Sequence, residues 1–302
     1  MFCAITVDQP VGLPLPPGSS SQGHDLPQTQ SRLFTTGDEP MKVALLQLNS
    51  VWEAPRENHN RASELISRAA AQGCDVAVLP EMFPTGTSSN TAVTAEPADG
   101  PTDTFLAAVA KKHAMNIIAG FALQGQAAGS KAANIAAVYS RQGDRMALYT
   151  KIHTFSPALE NRTYEAGRTP VMFTLEGAAC GIFICYDLRF PEVFRSIAKK
   201  VQAIFVIANW PRVRIEHWEA LLRARAIENQ CFVIGVNRTG VDGNGLYYSG
   251  CSQIIDPWGR VLCHGSERES VVVEEFDPRE ADRYRAKYKF LNDMKPLKTF
   301  LT

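Results

Sequence analysis

The sequence lacks several features that would point directly to a function. It has no CxxC pair among its seven cysteines, no HExxH or similar metal-ligand spacing among its six histidines, and no apolar run long enough to cross a membrane. Basic and acidic residues balance at 31 each, so the basic excess typical of proteins that bind nucleic acid or anionic membranes is missing. We therefore expect no metal, no cofactor, no nucleic-acid partner and no membrane partner.

The first 40 residues differ in composition from the rest of the chain. They include the Pro-, Gly- and Ser-rich stretch VGLPLPPGSSSQG and show no apolar periodicity, so we expect this segment to be disordered. Met41 then opens directly onto KVALLQL, a pattern typical of a buried strand. We expect Met41 to be the physiological start and residues 41–302 to form a single domain. Without a recognisable secretory signal, the expected compartment is the reducing cytoplasm.

From Met41 onward, strand-like and helix-like segments alternate in the same order twice. Each half predicts strand, helix, strand, helix, strand and then antiparallel strands. The predicted strands are Val43–Leu48, Val76–Leu79, Ile117–Leu123, Ile135–Tyr139, Arg145–Tyr149, Ala179–Ile184, Ile204–Ala208, Phe232–Val236, Gln253–Ile255, Val261–His264 and Val271–Phe276. The predicted helices are Glu57–Ala71, Thr102–His113, Pro191–Lys200 and Ile215–Asn229. Mixed sheets with helices on one face bury their bare faces against each other, so the expected fold is an α/β four-layer α-β-β-α sandwich of two mixed sheets.

Three polar residues each follow an apolar strand: Glu81 follows VAVLP, Lys151 follows ALYT and Cys185 follows GIFI. Ligands bind where the carboxyl ends of such strands converge, so these side chains could meet there. A thiol becomes a nucleophile when a base or a cation stabilises its thiolate. Glu81 would take the thiol proton and return it to a leaving amine, while Lys151 and the backbone N–H of Tyr186 would stabilise an oxyanion. Taken alone, a core cysteine, a capping glutamate and a solvated lysine explain each residue equally well; the combination predicts a cysteine hydrolase.

The segments around these residues resemble three signatures of the nitrilase superfamily of carbon–nitrogen hydrolases. They are LPEMF around Glu81, YTKIHTF around Lys151 and GIFICYDLRFPEVFR around Cys185, and they occur in the family's order. The resemblance implies a Glu-Lys-Cys triad, the four-layer sandwich, no metal, and a homodimer with an eight-layer core. It also implies a second assisting glutamate, for which Glu160 in LENRTYEAG matches better than Glu165.

Substrate choice is expected to lie in the loops around the triad. The stretch from NWPRVR to GVDGNGLYYSG resembles the omega-amidases, which hydrolyse 2-oxoglutaramate or 2-oxosuccinamate to the 2-oxo acid and ammonia through a thioester. A substrate carboxylate calls for an arginine, and Arg214 matches the omega-amidase pattern where Arg212 does not. The resemblance would make Phe83, Trp210 and Tyr248 the apolar walls. Cys251 is a departure, since relatives more often carry a polar residue there.

Other interpretations of the same residues remain open at this point. Within the family, the substrate could instead be deaminated glutathione, an N-carbamoyl compound or a nitrile. His153 beside Lys151 would suit a Cys–His dyad of the papain type, but Glu81 and Lys151 would then have no role. A non-catalytic scaffold would be expected to have lost a triad member, and a thiol redox protein would need a partner for Cys185. Cys180 lies five residues earlier on the same strand and points to the opposite face.

Overall fold

The computed structural model describes residues 40–127 and 129–295 of the chain. The strands are β1 Met41–Gln47, β2 Val76–Val78, β3 Ala95–Glu96, β4 Asn116–Leu123, β5 Ala133–Tyr139, β6 Arg145–Thr150, β7 Val171–Leu175, β8 Ala178–Ile184, β9 Ala203–Ala208, β10 Phe232–Asn237, β11 Thr239–Val241, β12 Tyr247–Ser249, β13 Gln253–Ile255, β14 Val261–His264 and β15 Ser270–Phe276. The helices are α1 Pro55–Ala71, α2 Thr91–Thr94, α3 Pro101–His113, α4 Glu160–Thr163, α5 Pro191–Ile197, α6 Ile215–Asn229 and α7 Arg279–Lys287. Of the first 40 residues, for which we expected disorder, residues 1–39 lie outside the described part.

Two mixed sheets form the centre of the fold. The first has the strand order β15-β1-β2-β4-β5-β6, with β3 paired to β4, and the second has the order β14-β13-β10-β9-β8-β7. In the first sheet β1, β2 and β4 are parallel, and β5 is antiparallel to both β4 and β6. In the second sheet β8, β9 and β10 are parallel. Because β6 runs in the same direction as β2, the carboxyl ends of these two strands lie at the same edge of their sheet.

Alternate side chains of β1 show how the layers stack. Val43 and Leu45 join a core cluster that contains the strands of the second sheet, whereas Ala44 and Leu46 join a cluster with residues of α1 and α3. This is the two-residue alternation of a strand covered on both faces. Residues of α5 and α6 pack against the second sheet. The order of layers is therefore helix, sheet, sheet, helix, and the predicted four-layer sandwich is confirmed.

The last strand departs from the twofold repetition of the sequence pattern. Repetition would place β15 beside β14 in the second sheet. Instead, β15 pairs antiparallel with β1 along seven residues, from Met41 opposite Phe276 to Gln47 opposite Ser270. Its valines explain the position: Val271 and Val273 pack against the α1 and α3 side, and Val272 packs against the core between the sheets. A second departure is β7, an edge strand that the sequence analysis did not predict.

Among the described residues, no helix has both the length and the apolar character needed to cross a membrane.

Candidate active site

One cavity of about 150 Å³ opens where strands of both sheets end. Lys151 directly follows β6 and Cys185 directly follows β8, while Glu81 lies three residues beyond the end of β2. All three side chains line the cavity, together with Glu160. The structure therefore brings together the four residues for which the sequence analysis predicted catalytic roles. A cavity of this size admits a small molecule but not a folded chain.

A buried lysine between two carboxylates forms the floor of the cavity. Lys151 Nζ donates to Glu81 Oε1 at 2.8 Å and to Glu160 Oε2 and Oε1 at 2.9 and 3.1 Å. The side chains of Lys151 and Glu81 are only 2% and 0% exposed, so water competes little for these contacts. In such surroundings an ammonium ion is stable only when it is fully paired. The arrangement fixes one positive charge between two negative charges beside the Cys185 thiol.

Two asparagines hold the carboxylates in place. Asn134 Nδ2 donates to Glu81 Oε1 at 2.8 Å and to Glu160 Oε1 at 2.9 Å, so a single amide bridges the two acids. The backbone N–H of Asn209 donates to Glu81 Oε2 at 2.8 Å, and its side-chain amide donates to the Glu81 carbonyl at 2.7 Å. Because both oxygens of Glu81 accept hydrogen bonds, its carboxylate has one defined orientation.

Cys185 occupies a sharp turn between β8 and a short 3₁₀ helix, Cys185–Arg189. Its φ of 45° lies in the left-handed region, which costs a residue with a Cβ roughly 1–2 kcal/mol. Strained backbone of this kind concentrates at functional sites. The sulfur lies 3.7 Å from the Asn209 carbonyl and also interacts with the Glu81 carboxylate. The backbone N–H of Tyr186 belongs to the first turn of the 3₁₀ helix, where no earlier carbonyl of that helix is available to accept it.

A fully buried aspartate links the loop that carries Cys185 to the loop that carries Lys151. Asp187 Oδ2 accepts from the N–H of Ile184 at 3.0 Å and from the hydroxyl of Tyr149 at 2.7 Å. Its Oδ1 accepts from the backbone N–H of His153 at 2.9 Å and contacts the Nδ1 of the same residue at 2.8 Å. Asp187 thus fixes the residue before Cys185 relative to the residues on either side of Lys151.

The charges in this cluster set the protonation states. Burial alone would lower the pKa of Lys151, but the charges of Glu160 and Glu81 outweigh burial and raise that pKa well above its usual value. Burial, and then the charge of Glu81, raises the pKa of the Cys185 thiol far above its usual range, and Lys151 offsets only part of the rise. Burial would raise the pKa of Glu160, yet Lys151 and the bond from Asn134 lower it overall. The resting site therefore holds a charged lysine and a neutral thiol.

The remaining predicted pocket residues divide into two groups. Tyr186, Trp210, Arg214 and Tyr248 line the cavity. Phe83 does not: it is 0% exposed and belongs to the core cluster under α1 and α3, with its ring 6.4 Å from that of Phe105. Its neighbour Met82 lines the cavity instead. Met82 has a φ of 43°, so the chain is not extended there, and strand-like alternation does not determine which side chain faces the site. The expectation for Phe83 is corrected accordingly.

Other candidates do not reach the site in the part of the chain that the structure describes. His153 is absent from the cavity lining; its ring bonds Asp187 and stacks on Phe190 at 3.8 Å, so the geometry does not favour a Cys–His dyad. The side chain of Glu165 is exposed, whereas Glu160 contacts Lys151.

Several residues of the site were missed by the sequence analysis. Asn209 directly follows β9, so the strand-end rule that selected Lys151 and Cys185 could have found it. Arg189 lines the cavity with its guanidinium 4.7 Å from the ring of Trp210. Asn134 lies within β5 and Asp187 within a short helix, where neither residue stands out by position.

Comparison with known proteins finds relatives along most of the described chain. Residues 42–286 match the family model described as carbon-nitrogen hydrolase. The 2-oxoglutaramate amidase of Bacillus subtilis (strain 168) is 35% identical over 255 residues, which are 84% of this chain and 97% of that protein. The omega-amidase YafV of Escherichia coli (strain K12) is 34% identical over 84% of this chain and 96% of its own length.

Two further relatives widen the comparison. The deaminated glutathione amidase of Synechocystis sp. (strain PCC 6803 / GT-S) is 33% identical over 80% of this chain and 93% of its own length. Among solved structures, XC1258 of Xanthomonas campestris, a CN-hydrolase superfamily protein with an arsenic adduct in its active site, superimposes with a TM-score of 0.81 at 31% identity. That match covers 86% of this chain and 99% of XC1258.

We predict that the Glu81 charge sets the reactivity of the Cys185 thiol. Since Glu81 raises the pKa of the thiol, Glu81→Gln should move the pH midpoint of Cys185 alkylation by iodoacetamide to lower pH. Lys151→Met removes the opposing charge and should move the midpoint to higher pH. The rates are measured by peptide-resolved mass spectrometry across a pH series.

Glu165→Gln is the matched control, because it makes the same chemical change on an exposed side chain and should leave the midpoint in place. If the pH midpoint of Cys185 alkylation in Glu81→Gln equals the wild-type midpoint or lies above it, the inferred effect of the Glu81 charge on the thiol is wrong.

Proposed function

Because the chain belongs to the carbon-nitrogen hydrolase family and is an amide-hydrolysing enzyme, we propose that it is an omega-amidase. It would hydrolyse the terminal amide of a small 2-oxo acid amide, 2-oxoglutaramate or 2-oxosuccinamate, to the 2-oxo acid and ammonia. The observation that carries this proposal is a thiol beside a carboxylate–lysine–carboxylate cluster, in a small cavity that also has two arginines in its wall. The substrate class comes from the names of the amidases that resemble the chain along most of its length.

In the first half of the proposed reaction, Cys185 attacks the amide carbon. Its thiol proton passes to Glu81 as the carbon–sulfur bond forms, so the nucleophile becomes a thiolate only when substrate is in place. The negative oxygen of the tetrahedral intermediate would be stabilised by the Lys151 ammonium and the N–H of Tyr186. Collapse of the intermediate breaks the carbon–nitrogen bond, Glu81 returns the proton to the nitrogen, and ammonia leaves a thioester on Cys185.

The second half regenerates the enzyme. Water attacks the thioester carbon while Glu81 accepts one of its protons, and the same positive groups stabilise the second oxyanion. When the carbon–sulfur bond breaks, the proton on Glu81 returns to the sulfur and the acid leaves. Glu81 thus carries one proton in each half and ends unchanged. Lys151 stays charged throughout, as its raised pKa requires.

Glu160 is the proposed fourth member of the catalytic group. Its carboxylate contacts Lys151 Nζ and accepts from the backbone N–H of Phe155 at 2.6 Å, which fixes it at the start of α4. Since the pKa of Glu160 is lowered, it remains an acceptor at neutral pH. It would position Lys151 and accept a hydrogen bond from the –NH₂ group of the substrate amide.

The substrate carboxylate would be bound by arginine at the other end of the cavity. Arg214 lines the cavity with its guanidinium 5.6 Å from the ring of Phe155, and Arg189 lies across the ring of Trp210. A guanidinium that is held against an aromatic ring keeps a defined plane, which suits two parallel hydrogen bonds to a carboxylate. Trp210 and Tyr248, with Met82 in the place that we had expected for Phe83, would form the apolar walls.

A second candidate substrate is deaminated glutathione, which the name of the Synechocystis relative indicates at nearly the same identity. That substrate is a larger amide, so it would have to extend beyond the cavity. The loop Asp242–Leu246 lines the cavity mouth and is held by the bonds from the N–H groups of Asn244 and Leu246 to Asp242 Oδ1, at 2.8 and 3.0 Å. A fixed loop at the mouth favours the smaller substrate.

We also propose that residues 41–302 form one catalytic domain that works as a homodimer in the cytoplasm. The compartment is supported by the cysteines: all six in the described ranges are free thiols.

The dimer is supported by exposed apolar side chains on and near α6, among them Ile227 at 47% and Trp258 at 47% exposure. Light scattering coupled to gel filtration measures the mass in solution.

The function is tested by ammonia release from a panel that contains 2-oxoglutaramate, 2-oxosuccinamate, deaminated glutathione, an N-carbamoyl amino acid and a nitrile. We predict the highest kcat/KM for the two 2-oxo acid amides. Cys185→Ala should remove the activity, while Cys263→Ser, a thiol outside the cavity, should keep it. No turnover of either 2-oxo acid amide above background would reject the omega-amidase proposal, and full activity in Cys185→Ala would reject the assignment of the nucleophile.

We predict that Arg214→Gln raises KM for 2-oxoglutaramate with a smaller effect on kcat. Losing a charged hydrogen bond of about 1.5–3 kcal/mol corresponds to roughly a tenfold to hundredfold change in affinity. Arg212→Gln is the matched control, since Arg212 is paired with Glu267 at 2.5 Å and does not line the cavity. Equal effects of the two substitutions would refute the role of Arg214, and a large effect of Arg189→Gln alone would assign the carboxylate to Arg189.

A further inference from the structure

Outside the catalytic cavity, three metal-ligating side chains from distant parts of the sequence come together. Glu219 lies in α6, Cys251 follows β12 and His264 ends β14. One ligand atom of each lies within 4.8 Å of the other two, and His264 Nε2 is 2.8 Å from Glu219 Oε1. None of the three lines the cavity.

A thiolate, an imidazole and a carboxylate are together a donor set that zinc prefers. Hard ions such as magnesium and calcium take oxygen ligands, whereas a sulfur and a nitrogen donor select zinc and its neighbours in the first transition row. Three protein ligands leave the fourth tetrahedral position to water. We propose that Glu219, Cys251 and His264 form a binding site for a divalent transition-metal ion, with Zn²⁺ as the best match.

Surrounding hydrogen bonds hold the backbone of Cys251 and the carboxylate of Glu219 in place. Trp218 Nε1 donates to the Cys251 carbonyl at 2.9 Å, so α6, which also carries Glu219, fixes the backbone of the cysteine. Gln253 Nε2 donates to Glu219 Oε1 at 3.2 Å, and Gln253 lies directly opposite His264 in the pairing of β13 with β14. Outer hydrogen bonds that orient metal ligands in this way are a regular part of metal sites.

Holding an ion needs only small shifts: His264 Nε2 and Glu219 Oε1 would move apart from 2.8 Å, while the Cys251 sulfur already lies within 4.8 Å of a ligand atom of each. Ligand atoms about 2.0–2.3 Å from a tetrahedral zinc are themselves roughly 3.5 Å apart. The two donors that would move are the accessible ones, because the side chains of His264 and Glu219 are 46% and 40% exposed, whereas Cys251 is 6% exposed. Binding would release the thiol proton of Cys251 to solvent as the zinc–sulfur bond forms. As an exposed ion pair, Glu219 and His264 contribute little to stability. Together with the Cys251 sulfur they supply three metal ligands.

The site is tested by zinc binding to the full-length chain, free of any affinity tag. All proteins carry Cys185→Ala, because the catalytic cavity also holds a thiol and carboxylates that could bind zinc. Competition with a chromophoric chelator should show one high-affinity Zn²⁺ per chain, and Co²⁺ should give the charge-transfer absorption of a thiolate-bound ion. Cys251→Ser, His264→Asn and Glu219→Gln should each weaken Zn²⁺ binding at least tenfold, and Cys251→Ser should remove the charge-transfer band.

Cys263→Ser is the matched control, because Cys263 adjoins His264 in β14 but packs against the core between the sheets. It should bind Zn²⁺ as the background protein does. If Cys251→Ser fails to fold, the substitutions at the exposed His264 and Glu219 keep the test decisive. The proposal is overturned if the background protein takes up no zinc at equimolar concentration, or if the three substitutions leave affinity unchanged. Neither result bears on amide hydrolysis.

Discussion

The buried ammonium of Lys151, paired with two carboxylates, is the interaction on which the rest of the site depends. A charge taken out of water is stable only with close partners, and here Glu81 and Glu160 supply them at 2.8 and 2.9 Å. Asn134 in turn orients both acids, because its side-chain amide donates one hydrogen bond to each carboxylate. Removing one partner from such a network leaves an unpaired buried charge, at a cost of roughly 3–5 kcal/mol. The cluster therefore constrains the loops that carry it as well as the chemistry that it supports.

The two-sheet architecture makes this cluster possible. Lys151 and Glu81 come from strand ends of the first sheet, and Cys185 and Asn209 come from strand ends of the second. Packing the sheets face to face brings these ends into one cavity, while Asp187 ties the Cys185 turn to the Lys151 loop. Gly120 shows how tight the junction is, because a Cβ at that position would lie 2.7 Å from the Cα of Glu81. Only a residue without a side chain allows the Glu81 loop to approach β4 so closely.

The sequence was sufficient to predict the layers and the meeting of Glu81, Lys151 and Cys185, because both depend on local pattern. Buried strands have continuous apolar runs, and polar residues that end such runs converge at a sheet edge. Local sequence pattern does not predict contacts between segments that are distant in the sequence. Phe83 was expected in the cavity wall from the resemblance, but its side chain packs in the core under α1 and α3, and Met82 lines the cavity instead. β15 follows β14 along the chain, yet it pairs with β1, and its valines pack on both faces of the first sheet. Asn134 and the cluster at Cys251 had no local signal, since their partners come from distant segments.

We propose that the lysine–carboxylate cluster enables Cys185 to form a thioester with the carbonyl carbon of an amide substrate. The most direct measurement is rapid acid quench of the enzyme during turnover of 2-oxoglutaramate, followed by peptide mapping of the protein by mass spectrometry. We expect an acyl adduct on the peptide that contains Cys185, formed together with the first equivalent of ammonia. Steady release of ammonia with no adduct on Cys185 at any quench time, or an adduct on a different residue, would contradict it.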